Sequence, residues 1–415
     1  MVPASKLSKR PACVCCSKAK RKCSKQAPAC RRCTAKGLVC RYPAPRPPPD
    51  YDLVYSEDGH CTIIPSSGKA GAASDTSSPT IDASGSSRLA SRAFQSQQLN
   101  QPWFLSPSSW NIDHKDVLNS RIYFGDGALI DFMDKVRGWL AQWTSEGRTP
   151  FIHANLYKAV LPEHIQDAFT ALTAYQSKTA ATQRMVLYVV EQRADRLLEQ
   201  QSLYDGDAAL IILDTLAHLA RTQSLLIYSI ICLLDGNIRA RSHAESYIET
   251  LTAWAKQLWE SAGLSIAANN SAKGSEPKSV SGNPLIPELN SDGTIPSVWQ
   301  AWLFSESIRR TYITATLVTA AYLTLKQGWA PCPGGITFTP GTGLWQADSP
   351  YSWWNRIKNS PVGPLQCVRA HEVVTTNVPS DVDEFTHAVL IVSYGLEQAT
   401  HWQEKTSLEF ATSQV

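Results

Sequence analysis

The apolar positions of this chain change character near residue 103. From Trp103 onward they recur at spacings of three and four, the period of a helix with one buried face. The pattern is clearest from His243 to Gly263. There Ala244, Tyr247, Ile248, Leu251, Trp254, Ala255, Leu258, Trp259 and Ala262 share one stripe, and Gly263 stands where a left-handed stop is expected. The same reading predicts helices over 119–144, 163–176, 181–203, 207–235, 297–327 and 381–402, the last capped by Ser380 with Asp383 three residues on. No series of period two recurs, so residues 103–415 are expected to form an all-α domain. A polar run, NNSAKGSEPKSVSGNP, predicts a disordered insertion near 265–295.

Upstream, the segment RYPAPRPPPD begins a different regime. Its prolines lack amide donors and favour an extended backbone. Between Ser66 and Arg88 the only large aliphatic residue is Ile81, too little burial to offset the entropy of ordering. Residues 43–102 therefore read as a linker, stiff and then flexible, that separates the helical domain from a cysteine-rich segment at 13–42 and a basic tail at 1–12.

Composition sharpens that division. With 415 residues, 43% of them hydrophobic and 18% charged, most of the chain can bury a core, which excludes wholesale disorder and a small disulfide scaffold. The formal charge of +3 hides a split. Twelve of the 39 Lys and Arg lie in residues 1–42, which have no Asp or Glu, so the other 27 face all 36 acidic residues, a net of −9. The N-terminus MVPASKLSKRPAC has no apolar run of signal-peptide length, so the cysteines are expected to be reduced and available to metal. The most apolar stretch, Ala208–Leu234, is interrupted by Asp214, His218 and Arg221. That leaves thirteen uncharged residues from Thr222, short of the roughly 20 that span a bilayer, and no membrane partner is expected.

Seven of the eleven cysteines fall between Cys13 and Cys40. Six of them, Cys13, Cys16, Cys23, Cys30, Cys33 and Cys40, repeat with a period of seventeen: each half reads C-x2-C-x6-C. Structural zinc takes four tetrahedral ligands and prefers thiolate. Two zinc ions thus need eight contacts, and six cysteines supply eight only if two bridge both metals, one from each half by the symmetry of the repeat. Cys15 has no partner in the repeat, where Arg32 takes its place; it reads first as a non-ligand, with a substitute ligand or an oxidation-sensitive thiol as the alternatives.

These spacings, with Pro28 two before the fourth cysteine and Cys40-Arg41-Tyr42 after the sixth, resemble the fungal binuclear zinc-cluster DNA-binding domain of the galactose-regulator type. The resemblance covers about 30 residues and implies two short helices around two zinc ions, bridged by Cys13 and Cys30. One ion would be held by Cys13, Cys16, Cys23 and Cys30, the other by Cys30, Cys33, Cys40 and Cys13. It also implies double-stranded DNA as partner, read in the major groove at CGG-like half-sites, with Lys20 at the base-reading position. Ser17 and Ala19 stand where the family often has arginine, which leaves Lys18, Arg21 and Lys22 as further DNA contacts. A lysine facing guanine meets two acceptors, O6 and N7. Six thiolates and two zinc ions add −2, so the metallated head carries about +10, enough to displace counterions from DNA. The basic run also suits nuclear import.

The helical domain offers no comparable chemistry. Gly334-Gly335 and Gly341-x-Gly343 lack the Lys and Ser/Thr of a phosphate loop and read as turns; His371-Glu372 lacks a second histidine. Cys232, Cys332 and Cys367 read as buried apolar residues, and an enzyme is not expected. Trp299 and Trp302 share a face and read as core, beside an i,i+4 pair of Glu306 with Arg310. The run from Trp299 through GLWQADS resembles short fungal zinc-cluster regulators, several of which control secondary-metabolite gene clusters. The whole implies a nuclear, sequence-specific transcription factor of RNA polymerase II genes. The acidic body would meet the transcription machinery, with Trp402, Glu404, Leu408, Glu409 and Phe410 as an activation-type signal. No heptads follow Cys40, so binding as a monomer and homodimerisation through the body both stay open. Two rivals are a metal-buffering thiolate protein, which leaves the basic run unexplained, and an interaction protein without DNA binding.

Overall fold

The computed structural model describes residues 13–19, 21–26, 29–40, 51–55, 61–65, 102–113, 125–201, 207–272 and 288–412. The chain divides into two units, Met1–Ile81 and Asp82–Val415. In the first, two five-residue helices, α1 (Val14–Lys18) and α2 (Arg31–Ala35), sit one repeat apart. The same unit holds an antiparallel pair, β1 (Tyr51–Tyr55) with β2 (Cys61–Pro65), in the register Tyr51↔Pro65 to Tyr55↔Cys61. That hairpin falls in the span read as linker. Its signal is in the sequence: Leu53, Val54, Tyr55, Ile63 and Ile64 flank Asp58-Gly59, a strand–turn–strand composition. The tail at 1–12 and most of the linker lie outside the described residues.

The second unit is helical: α3 (Asp126–Glu146), α4 (Glu163–Gln176), α5 (Gln183–Gln201), α6 (Asp207–Ile212), α7 (Thr215–Leu234), α8 (Ile238–Glu245), α9 (Ile248–Ala272) and α10 (Ile295–Gln327). After a two-residue ladder of β3 (Thr337–Phe338) with β4 (Leu365–Gln366) around α11 (Pro350–Lys358), the chain ends in α12 (Val373–Thr376), α13 (Glu384–Tyr394) and α14 (Leu396–Thr412). Helix α7 is buried from His218 through Leu233 and touches α4, α5, α8, α9 and α10, so it is the axis of the core. By length and composition α7 would also cross a membrane, but 89% of that window is buried inside the domain, the signature of a core helix.

Several expected boundaries move, each for a local reason. The helix expected over 207–235 breaks before Thr215, because the Asp214 side chain accepts the Ala217 N–H at 2.7 Å and starts α7 anew. Gly263 does not stop α9. Ile266, one turn beyond Ala262, is buried and extends the apolar stripe, and Thr215 meets the hydroxyls of Ser261 and Ser265 at 2.9 and 3.1 Å. That carries helix to Ala272, into the span read as insertion; residues 273–287 lie outside the described residues. Ser380 is not the last cap. Asp383 caps α13 by accepting the Thr386 N–H at 2.9 Å, and the run to 402 is split by Gly395 at φ +107°, a backbone that side chains disfavour.

Trp299 and Trp302 are core residues as expected. The expected i,i+4 pair of Glu306 with Arg310 forms, and it is buried within α10. Arg310 Nε donates to Glu306 at 2.9 Å and Nη2 to Asp383 at 2.6 Å, between the rings of Trp345 and Phe385 at 4.4 and 4.8 Å. Burial works against that charge, yet Asp383 and Glu306 raise the Arg310 pKa above the ordinary arginine value. Glu306 also accepts the Thr339 N–H and hydroxyl, which ties the end of β3 to α10. Neighbouring Arg309 is solvated by Ser109 and Thr337 carbonyls at 2.9 and 2.8 Å inside a ring of Trp103, Trp110 and Trp259; its burial lowers its pKa to about 9. Cys232 and Cys367 are buried as expected, whereas Cys332 is exposed, in the segment before β3.

Candidate metal centre

The head folds around its thiols. Cys13, Cys16, Cys30 and Cys33 form its buried cluster, and Cys15, Cys23 and Cys40 pack against them. Cys13 and Cys30 immediately precede the two helices, Cys16 and Cys33 lie within them, and Cys23 and Cys40 lie on the segments that follow.

The seventeen-residue repeat is also a repeat of hydrogen bonds. Ala19 N–H donates to Cys15 O and Lys36 N–H to Arg32 O, both at 3.2 Å; Arg21 N–H donates to Cys16 O at 3.0 Å and Leu38 N–H to Cys33 O at 2.9 Å. Within each half, Cys13 N–H points at Cys23 Sγ at 3.5 Å and Cys30 N–H at Cys40 Sγ at 3.3 Å. Cys30 is the N-cap of α2, its sulfur accepting the Cys33 N–H at 3.4 Å.

The sulfurs form two groups of four, Cys13, Cys16, Cys23, Cys30 and Cys13, Cys30, Cys33, Cys40, with the ligand atoms of each group within 4.8 Å of one another. Cys13 and Cys30 belong to both groups, as bridging requires. The spacing fits the metal. Tetrahedral zinc with bonds of ~2.3 Å puts its sulfurs about 3.8 Å apart. Cys13 and Cys30 are separated by 3.7 Å, Cys13 and Cys33 by 3.7 Å, and Cys16 and Cys30 by 3.6 Å. Burial pushes the Cys13 thiol up to about 12 and Cys33 higher still, whereas the Cys33 N–H brings Cys30 down to about 6 and the Cys13 and Lys25 N–H groups lower Cys23. A thiolate cluster this enclosed calls for cations at its centre. Two zinc ions supply that charge and cross-link the two halves.

Cys15 belongs to neither tetrad. It directly precedes Cys16 on α1, which turns its side chain about 100° away from that ligand around the helix axis. Its Sγ donates instead to Val39 O at 3.2 Å. Arg32, which holds the equivalent place in the second half, donates from Nη1 to Cys16 Sγ at 3.8 Å. Each half thus sends one side chain to brace the other. The seventeen-residue offset pairs Cys15 with Arg32, but it carries no sign of these contacts.

Of the cations expected to face DNA, Lys18, Arg21 and Lys22 are exposed. Lys20 lies outside the described residues. Lys25, Arg31 and Lys36 are exposed as well, and they escape a reading by charge runs because each stands apart from Lys18–Lys22. The second half differs from the first at the positions matching Arg21 and Lys22, which are Leu38 and Val39, both exposed. At those matched positions the cations belong to the first half alone.

No solved structure matches the chain. Over nearly its whole length it is similar to the transcription factor gsfR2 of Penicillium aethiopicum, with 26% identity across 95% of this chain and 94% of that protein. Residues 11–49 match the fungal Zn(2)-Cys(6) binuclear cluster domain, which takes in all six repeated cysteines and both shared tetrads. The head of this protein is thus a binuclear zinc-cluster domain, similar over residues 11–49 to the fungal Zn(2)-Cys(6) family.

Proposed function

We propose that this protein is a nuclear, sequence-specific transcription factor of RNA polymerase II genes, in which the zinc-cluster head reads DNA and the helical domain regulates. The observation that carries the reading is the pair of sulfur tetrads sharing Cys13 and Cys30, accompanied by exposed Lys18, Arg21 and Lys22. A metal-buffering role needs no such outward cations. The similarity to a protein named a transcription factor supports the same reading. Lys20 is assigned to a guanine of a CGG-like half-site, and Lys18, Arg21 and Lys22 to flanking contacts. The resemblance of the Trp299 region to short zinc-cluster regulators points to a secondary-metabolite gene cluster as target.

The test is selection of binding sites by the full-length protein from random duplexes, with and without a zinc chelator. A CGG-containing motif that disappears on chelation is expected; no enriched motif, or one indifferent to zinc, would sink the reading. Lys20→Ala should weaken the selected site by about 1–3 kcal/mol more than random DNA. Equal loss on both would make Lys20 a phosphate contact only.

A further inference from the structure

A groove of about 350 Å³ opens on the helical domain between α3, the end of α7, α8 and the end of α10. Its floor is apolar: Met133, Leu233, Leu234 and Tyr322, with Ile130 and Leu325 left 51% and 39% exposed. Its rim carries three cations, Arg137, Arg241 and Lys326, against two carboxylates, Asp134 and the Glu245 that pairs with Lys326, which leaves a net positive charge. Arg137 is held in place by Asp134 at 3.3 Å and by the Leu234 carbonyl at 3.1 Å, and Lys326 by Glu245 at 2.6 Å. Arg241 forms no ion pair among the described residues.

We infer that this groove receives an acidic amphipathic helix of a partner protein. Three features select that occupant. The walls are all helices, which present no strand edge, so an extended peptide finds nothing to extend and recognition must pass through side chains. The exposed Ile130 and Leu325 make the groove open, whereas a small-molecule site encloses most of its ligand. The cationic rim over an apolar floor complements a helix with Leu or Phe along one face and Asp or Glu on its flanks. The inference does not depend on DNA recognition, which belongs to the other unit.

The experiment uses the zinc-loaded full-length protein and three fluorescent peptides, each about four helical turns long. One carries Leu and Phe at i, i+3, i+4 and i+7 with Glu elsewhere; the second replaces Glu by Lys; the third scrambles the first. Saturable anisotropy is expected for the first peptide alone. Leu325→Glu should weaken it by about tenfold or more, and the double change Arg241→Glu with Lys326→Glu should shift preference to the Lys peptide, with circular dichroism confirming that each variant is folded. Equal binding of the scrambled peptide would overturn the inference, as would binding unchanged in the groove variants, which would mean attraction to the basic head. A dimer in sedimentation that Leu325→Glu converts to monomer would also overturn it, since the occupant would then be a second copy.

Discussion

The two units solve the problem of buried charge in opposite ways. In the head, six sulfurs converge within one short segment and form its interior. The charge that balances them comes from metal. In the helical domain, Glu306, Arg309, Arg310 and Asp383 are equally buried, but they carry equal numbers of positive and negative charges. Carbonyls of Pro150, Thr337 and Thr339 and the rings of several tryptophans complete their solvation. The difference predicts that folding of the head depends on metal whereas folding of the body does not, although both hide ionisable groups.

The sharpest break should come from the bridging position. Cys30→Ser removes a ligand from both tetrads at once, so DNA binding should fall more than about a hundredfold, as it should on chelation, while the thermal midpoint of the helical domain stays put. Zinc content by mass spectrometry under native conditions, together with a melting curve, checks both halves of that statement. A body that melted earlier on chelation would erase the distinction.

The converse substitution acts on the other unit. Asp383→Ala leaves Arg310 buried with Glu306 alone and removes the cap of α13, for a loss of roughly 3–5 kcal/mol in urea unfolding. Zinc stoichiometry should not change. A smaller effect is expected from acid. Burial holds His153 down to about 4, with the nearby Arg310 and Arg148 contributing, and burial with Arg221 does the same for His218. A free histidine titrates near 6.5, so between pH ~6.5 and ~4 the unfolded chain binds protons that the folded one refuses. Stability should therefore fall as pH drops through that window, and His153→Gln should flatten the slope of melting midpoint against pH.

The smallest effect is expected at Cys15. Cys15→Ser keeps a donor toward Val39 O and touches neither tetrad, so zinc content should be unchanged and DNA affinity should stay within about twofold. Loss of one zinc would make Cys15 a ligand after all.

The candidate site was more legible than the fold around it. Six spacings and a coordination count lead to two zinc sites with one bridging cysteine from each half, because metal ligation is local and its stoichiometry is strict; which cysteines bridge comes from the family resemblance. Helix existence was legible for the same kind of reason: the period of α4 and α9 is written in consecutive residues. Boundaries were not, since Asp214 and Asp383 became caps and Gly263 did not become a stop only once Ile266 and the Ser261–Thr215 contact were in place. The hairpin of β1 and β2 was hidden because the proline and serine content of its surroundings outweighs the short apolar runs on either side of Asp58-Gly59.

By itself, the sequence determined a metal-organised cationic head, an acidic helical body and the division between them, because charge, composition and ligand spacing are properties of the chain in any conformation. Tertiary structure alone decided that Arg310 would bond Asp383, 73 residues away, that Arg32 and Cys15 would brace opposite halves of the head, and that Ile130 and Leu325 would line one open groove. Those are pairings of distant segments. They depend on which faces remain to be buried once the local helices have formed, and no local pattern carries that information.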